Sequence, residues 1–180
     1  LAYFPGCKIP FYLPEYGRSF EALMGKLGGE LMRLPFNCCG YPSRSKSLEI
    51  SVLSSIRNLA LAEKQDLDII TPCKCCFGQF KQAVYAYDNH KPLRIKIDAL
   101  LTKEGLSWKG RTKIKHLLPF LYNDIGIPKL KHHITRPLPH HKIVVQYGCH
   151  ALRPFSITGF DDPHVPKIFQ ELINITGFQT

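Results

Sequence analysis

Over residues 1–90 the apolar positions switch between short runs and helical spacing. LAYF (1–4) is short and apolar and reads as a strand. From Tyr16 to Leu27, the residues Phe20, Leu23, Met24 and Leu27 predict an amphipathic helix, stopped by Gly28 and Gly29. ELMRL (30–34) alternates weakly and reads as a second strand. The stretch 45–65 returns to helical spacing, with Ser45 or Ser47 as its N-cap. LDII (67–70) reads as a third strand, and Cys75–Tyr87 as a helix with Phe77, Phe80, Val84 and Tyr87 on one side. Strands alternating with helices predict an α/β fold: a small parallel sheet flanked by helices.

Residues 91–141 have a different texture. They hold Trp108 and the prolines Pro119, Pro128, Pro137 and Pro139 among others, and HLLPFLYNDIG (116–126) reads as a short helix with Pro119 near its start. The segment is expected to cover the unit and to end in a linker, RPLPHHK (136–142). IVVQYGCH (143–150) then repeats the opening order of apolar run, aromatic, glycine and cysteine. This predicts a first domain at 1–141 and the start of a second, incomplete copy at 142–180. A last helix is expected to begin near Pro166 and to stop at Gly177.

The three strand candidates each deliver cysteine at their exits: Cys7 after LAYF, Cys38 and Cys39 after ELMRL, and Cys73, Cys75 and Cys76 after LDII. Sites in open parallel sheets form beyond the carboxyl ends of the strands. Loops far apart in the chain are therefore expected to meet on one rim. Pro5, Pro35 and Pro72 stop the strands, and Gly6 and Gly40 allow tight turns beside the cysteines.

With 44% hydrophobic residues among 180, the chain can bury a core without cysteine staples. Seven is an odd count, no secretion signal is expected at LAYFPGCKIP, and a disulfide framework is disfavoured, which points to a cytoplasmic setting. No apolar run approaches the roughly 18 residues of a membrane span. Net charge is +10, and residues 91–142 carry twelve Lys or Arg against three acids. Such a surface suits an acidic partner, an anionic substrate or anionic lipid, or simply a solvated face. Aromatics do not interleave with the basic residues as in RNA-binding modules, so a nucleic-acid partner is not expected.

Thirty residues separate Cys7 from Cys38 and thirty-three separate Cys39 from Cys73; Cys73 and Cys76 form a CxxC with Cys75 inside it. Five thiolates exceed the four that tetrahedral zinc takes, and vicinal cysteines suit different metal atoms of one cluster. Spacing favours an iron–sulfur cluster and keeps zinc as the lesser alternative. The ordinary ferredoxin run is absent.

The layout C…CCG…CxxC resembles the cysteine-rich CCG domain of the B-subunit family of heterodisulfide reductases, and YGCHALRP (147–154) and TGFDDP (158–163) resemble the start of that family's second CCG domain. The resemblance implies a noncubane iron–sulfur cluster of fused 4Fe-4S type, held by Cys7, Cys38, Cys39, Cys73 and Cys76. It makes Cys149 the opening ligand of a second cluster, an orphan without its cluster-mates in this sequence. It implies electron transfer to, and reductive cleavage of, an anionic disulfide. The partners implied are a ferredoxin-like cubane-cluster subunit and a flavoprotein subunit, with membrane association only through partners. A CCG subunit of a succinate or fumarate dehydrogenase-like complex is the alternative. By position, His150 resembles a proton donor to a leaving thiolate, and Arg153 is a candidate for holding an anionic substrate or for pairing with Asp161 or Asp162. Cys75, inside the CxxC, is left open as a substitute ligand, a reactive thiol or a packed side chain. Asp161 and Asp162 are expected to cap the following helix, and His132, His133, His140 and His141 to be solvated.

Overall fold

The structure, a computed structural model, describes residues 1–139 and 142–178. Three short strands, β1 (Ala2–Tyr3), β2 (Ile69–Thr71) and β3 (Ile114–His116), form a parallel sheet in the order β1-β2-β3. Ala2 lies opposite Ile69 and Tyr3 opposite Ile70, and on the other side Ile69, Ile70 and Thr71 face Ile114, Lys115 and His116.

Alternation along the strands divides the core in two. Ala2, Phe4 and Ile69 pack on one face with Val52, Ile56 and Leu59 of α3 (Leu48–Lys64), Phe80 of α4 (Lys74–Asn89), and Ile97 and Leu101 of α5 (Lys91–Lys103). Tyr3 and Ile70 face the opposite way, onto Phe20 and Met24 of α2 (Pro14–Lys26) and onto Leu117, Leu121 and Leu130. Ahead of α2 stands one short turn of helix, α1 (Lys8–Tyr12). Covering both faces lets a parallel sheet bury its apolar strands, as the alternating pattern predicts.

Helix α3 is capped by Ser47, whose Oγ accepts from the Ile50 N–H. ELMRL departs from expectation. It meets the sheet only through a bridge between Met32 and Ala2, with Tyr3 N–H donating to Met32 O and Met32 N–H to Leu1 O. Met32 is 48% exposed and Arg33 turns outward to Glu21, so only half of the alternation finds a core to enter.

The third strand comes instead from the basic stretch read as a cover. That stretch also holds α5, whose Leu93, Ile97 and Leu101 are buried while its lysines stay in water. After β3 the chain runs through one turn, α6 (Leu117–Pro119), a π-helical stretch at Phe120–Gly126, and α7 (Ile127–His133). Residues 143–148 take no regular secondary structure, and Val144 is 96% exposed. Two single turns, α8 (Cys149–Leu152) and α9 (Phe155–Thr158), then pack on α4. The last helix, α10 (Ile168–Asn174), sets Ile168 and Leu172 into the same core as Tyr3 and Ile70. Among the described residues, no helix is long and apolar enough to cross a membrane.

Candidate metal centre

Three chain segments meet at the carboxyl rim of the sheet. Gly6 leaves β1 with φ +73°, and a Cβ placed there would stand 3.0 Å from Cys76 Sγ and 3.6 Å from Cys73 Cβ. Only glycine brings the Cys7 turn this close to α4. A cleft of about 200 Å³ opens between Gly6–Cys7 and Asn37–Cys38. Cys7 and Cys38 are exposed, and Cys39 and Cys76 are buried.

Four thiols form a line, Cys38–Cys39–Cys76–Cys73. The Cys76 thiol sits between Cys39 and Cys73 and shares its proton with both; those contacts push its own pKa far up. The same donation holds Cys39 below the ordinary thiol value, and it pulls Cys73 down to about 6 against the opposing effect of burial. Cys38 is raised, first by burial, and feels the charges of Cys39 and Cys7. Backbone N–H groups face the sulfurs: Gly40 toward Cys38, Tyr41 toward Cys39, and Cys75 and Cys76 toward Cys73. Among the described residues, no group of three or more Cys, His, Asp or Glu closes around a point that one metal ion could occupy. The thiols lie as a line with glycine-lined approaches and inward N–H donors. Soft donors in that arrangement fit a polynuclear iron–sulfur group better than a single zinc.

The loop between α2 and α3 is held from behind. Asn58 accepts from the Asn37 N–H at 3.0 Å and donates Nδ2 to the Asn37 and Cys38 carbonyls, each at 3.2 Å. Ser55 Oγ donates to Cys39 O at 2.6 Å and Ser51 Oγ to Gly40 O at 2.9 Å. Gln79 Nε2 of α4 donates to both hydroxyls, at 2.9 Å and 3.1 Å. Sequence reading passed over this lattice. Its available signal was polar Ser51, Ser55 and Asn58 recurring at helical spacing beside the apolar stripe of α3.

The remaining site candidates lie nearby. Cys75 stands outside the thiol line, its pKa raised by burial and by the Cys73 charge. Cys149 is exposed at the start of α8. Its segment docks on α4 because Gly78 has no side chain: a Cβ there would overlap the His150 carbonyl. Gly148 likewise lies against the Lys74 side chain. His150 Nε2 is hydrogen-bonded to the Tyr41 hydroxyl at 2.8 Å, which ties the Cys149 segment to the Cys38–Gly40 loop.

Arg153 pairs with neither aspartate; its Nη2 donates to Pro163 O at 3.1 Å. Asp161 is occupied as a cap, Oδ2 accepting from Lys167 and Ile168 N–H at the start of α10, and Asp162 accepts from His164 and Val165 N–H. His132 and His133 are exposed at the end of α7. His140 and His141 lie outside the described residues.

His116, at the end of β3, is 4% exposed. Its Nδ1 accepts from Leu118 N–H, and burial pushes its pKa down to about 3. Among the described residues, Nε2 has no hydrogen-bond partner of full geometry. The Pro72 carbonyl opposes the downward shift without outweighing it.

The thiol line and Cys7 beside it come from turns at the carboxyl edge of a parallel sheet, and residues 1–81 match the model of the cysteine-rich CCG domain. Over 98% of its length the chain is 31% identical to the B subunit of the ferredoxin/F(420)H(2)-dependent CoB-CoM heterodisulfide reductase of Methanosarcina acetivorans. Over 97% of its length it is 32% identical to a protein of Archaeoglobus profundus that is itself like the heterodisulfide reductase B subunit. It is also 31% identical, over 99% of its length, to the membrane anchor subunit of the 8-methylmenaquinol:fumarate reductase of Wolinella succinogenes. The chain spans 60% of the first two relatives and 62% of the third. A crystal structure of a hypothetical protein from Helicobacter pylori shares the fold, with TM-score 0.62 at 18% identity over 98% of this chain and 36% of that one.

Proposed function

We propose that this chain is the iron–sulfur part of a heterodisulfide reductase-like oxidoreductase complex. Cys7, Cys38, Cys39, Cys73 and Cys76 hold a noncubane cluster of fused 4Fe-4S type, and Cys149 begins the ligand set of a second. The observation that carries this reading is the line of four thiols on one rim, with Cys7 beside it and N–H donors facing the sulfurs. When bound, the group supplies one-electron transfer. Reduction of a disulfide to two thiols consumes two electrons and two protons. His150 carries one of those protons; its hydrogen bond to Tyr41, which joins the Cys149 segment to the Cys38–Gly40 loop, supports that role.

The electrons come from a ferredoxin-like cubane-cluster subunit fed by a flavoprotein, and the complex works in the cytoplasm. The substrate is an anionic disulfide, drawn by the chain's net charge of +10. Arg153, exposed and held through a backbone carbonyl, keeps donors free for that anion.

Similarity to the Wolinella protein supports a second reading, in which the same cluster passes electrons to or from a quinone.

Anaerobic purification with iron, acid-labile sulfide and zinc analysis tests the first claim, with electron paramagnetic resonance after thiol oxidation. Several irons per chain are expected, with most lost in Cys38→Ala and Cys39→Ala. Full iron in both variants refutes the ligand set. About one zinc without sulfide restores the zinc alternative. Turnover of the reassembled complex with a disulfide but not with a quinone analogue separates the two readings.

A further inference from the structure

The carbonyl lattice behind the Cys38–Gly40 loop does more than fill hydrogen bonds. A trans peptide holds its C=O and N–H on opposite sides of one rigid plane. The Cys39–Gly40 peptide has its carbonyl drawn toward Ser55 at 2.6 Å, and so its N–H is aimed the other way, toward the Cys38 sulfur. In the next peptide the Gly40 carbonyl is drawn toward Ser51 at 2.9 Å, and the Tyr41 N–H is aimed at the Cys39 sulfur. Two hydroxyls on one helix face, joined at the Gly40 carbonyl by the Ser43 N–H at 3.1 Å, therefore set the direction of two N–H donors on the far side of the loop.

Gln79 decides which way the hydroxyl protons point. Its Nε2 donates to both serine oxygens, so each hydroxyl hydrogen is left for its carbonyl. Ser51 and Ser55 are fully buried and Gln79 is 4% exposed, so water does not compete. Each chain of donors runs in one sense, from amide to hydroxyl, carbonyl, N–H and sulfur, and each bond polarises the next. Gly40 completes the device. With φ +89°, a Cβ there would overlap the Ser51 carbonyl, so only glycine lets the loop lie close enough for the hydroxyl to reach.

We infer that Ser51, Ser55 and Gln79 are positioning residues that set the reduction potential of the metal group by orienting the Gly40 and Tyr41 N–H donors onto the sulfurs of Cys38 and Cys39. The inference rests on the iron–sulfur reading above. Donors aimed at cluster-bound sulfur stabilise the reduced, more negative state and so raise the potential.

The test is anaerobic redox titration of the loaded full chain, monitored by electron paramagnetic resonance, for wild type, Ser55→Ala, Ser55→Thr, Gln79→Met and Ser47→Ala. Iron content and far-ultraviolet circular dichroism are measured on each. Ser55→Ala and Gln79→Met are expected to lower the ratio of reduced to oxidised cluster at the wild-type midpoint about tenfold, a shift of about 59 mV for a one-electron couple. Ser55→Thr keeps the hydroxyl and stays near wild type. Ser47→Ala removes the half-buried cap of the same helix, whose hydroxyl bonds Ile50 N–H and none of the loop carbonyls, and does not move. If Ser55→Ala fails to fold or load, Gln79→Met decides, because it leaves both serines in place. Loaded Gln79→Met protein with the wild-type midpoint overturns the inference and leaves the iron–sulfur reading standing. A wild-type chain that takes up no iron and sulfide overturns both.

Discussion

Replacing Gly40 by alanine is the sharpest single perturbation of the thiol rim. The residue sits at φ +89°, where an L side chain costs roughly 1–2 kcal/mol by itself. The added methyl would also overlap the Ser51 carbonyl oxygen and stand 3.0 Å from both Ser51 C and Cα. These are backbone atoms of α3, so no rotamer change relieves the contact. Loop and helix must separate, which lengthens the 2.9 Å bond from Ser51 Oγ to Gly40 O. The Gly40 carbonyl keeps the Ser43 N–H at 3.1 Å, but the Ser51 hydroxyl, fully buried, loses its acceptor, and a buried donor left unpaired costs about 1–3 kcal/mol. The total is about 2–5 kcal/mol, a large part of a typical domain's stability. Gly105→Ala is the control: φ is +65° but nothing lies within 4 Å of the new methyl, so only the backbone cost of about 1–2 kcal/mol remains. Denaturant melts of the metal-free chain under reducing conditions measure both. Equal destabilisation by the two variants refutes the argument, because it leaves the contact with Ser51 without energetic weight.

Other contacts carry three more predictions. Glu63, 4% exposed, accepts from Lys109 N–H at 2.7 Å and Arg111 N–H at 2.5 Å; Glu63→Ala is expected to lower the denaturant-derived stability by about 3 kcal/mol, and a loss below about 1 kcal/mol counts against these bonds. Gly78→Ala gains about 1 kcal/mol of helix propensity in α4 yet collides with the His150 carbonyl, so limited proteolysis near residues 142–160 should quicken while the global melt holds or rises; unchanged cleavage speaks against the docking. His116 carries a folded-state pKa near 3, below its ordinary value of 6.5, so its contribution is complete above pH 6.5 and is lost toward pH 3 at about 1.4 kcal/mol per pH unit; melts of wild type and His116→Gln across that window should diverge in slope, and parallel curves refute it.

What the chain reveals by inspection is uneven, and the reasons are physical. Helices α2 and α3 are legible because their apolar residues enter a core along one face, and Ser47 marks a true cap. The meeting of the Cys7, Cys38–Cys39 and Cys73–Cys76 turns is legible because cysteines follow three apolar runs, although ELMRL supplies its exit from a single bridge rather than a strand. Strand β3 is hidden because IKH is three residues long, with Lys113 just before it and Lys115 at its centre breaking the apolar run. Helix α5 is hidden the same way, its buried Leu93, Ile97 and Leu101 spaced correctly inside a run dominated by charge. The contact between His150 and Tyr41, and the lattice on α3, join residues far apart in the chain, and no local pattern carries that information.

The order of the strands also bears on how the chain matures. β1 finds its neighbour only once Ile69–Thr71 has left the ribosome, and β2 stays half-paired until Ile114–His116 follows. Parallel pairing of this kind is slow, since distant segments must close large loops before any contact rewards them. For the seconds of synthesis in between, six cysteines travel on a nascent chain with no finished scaffold to gather them. Oxygen, or a stray thiol partner, has its best opportunity in that interval, so strict anaerobiosis matters while the protein is being made as well as while it is handled.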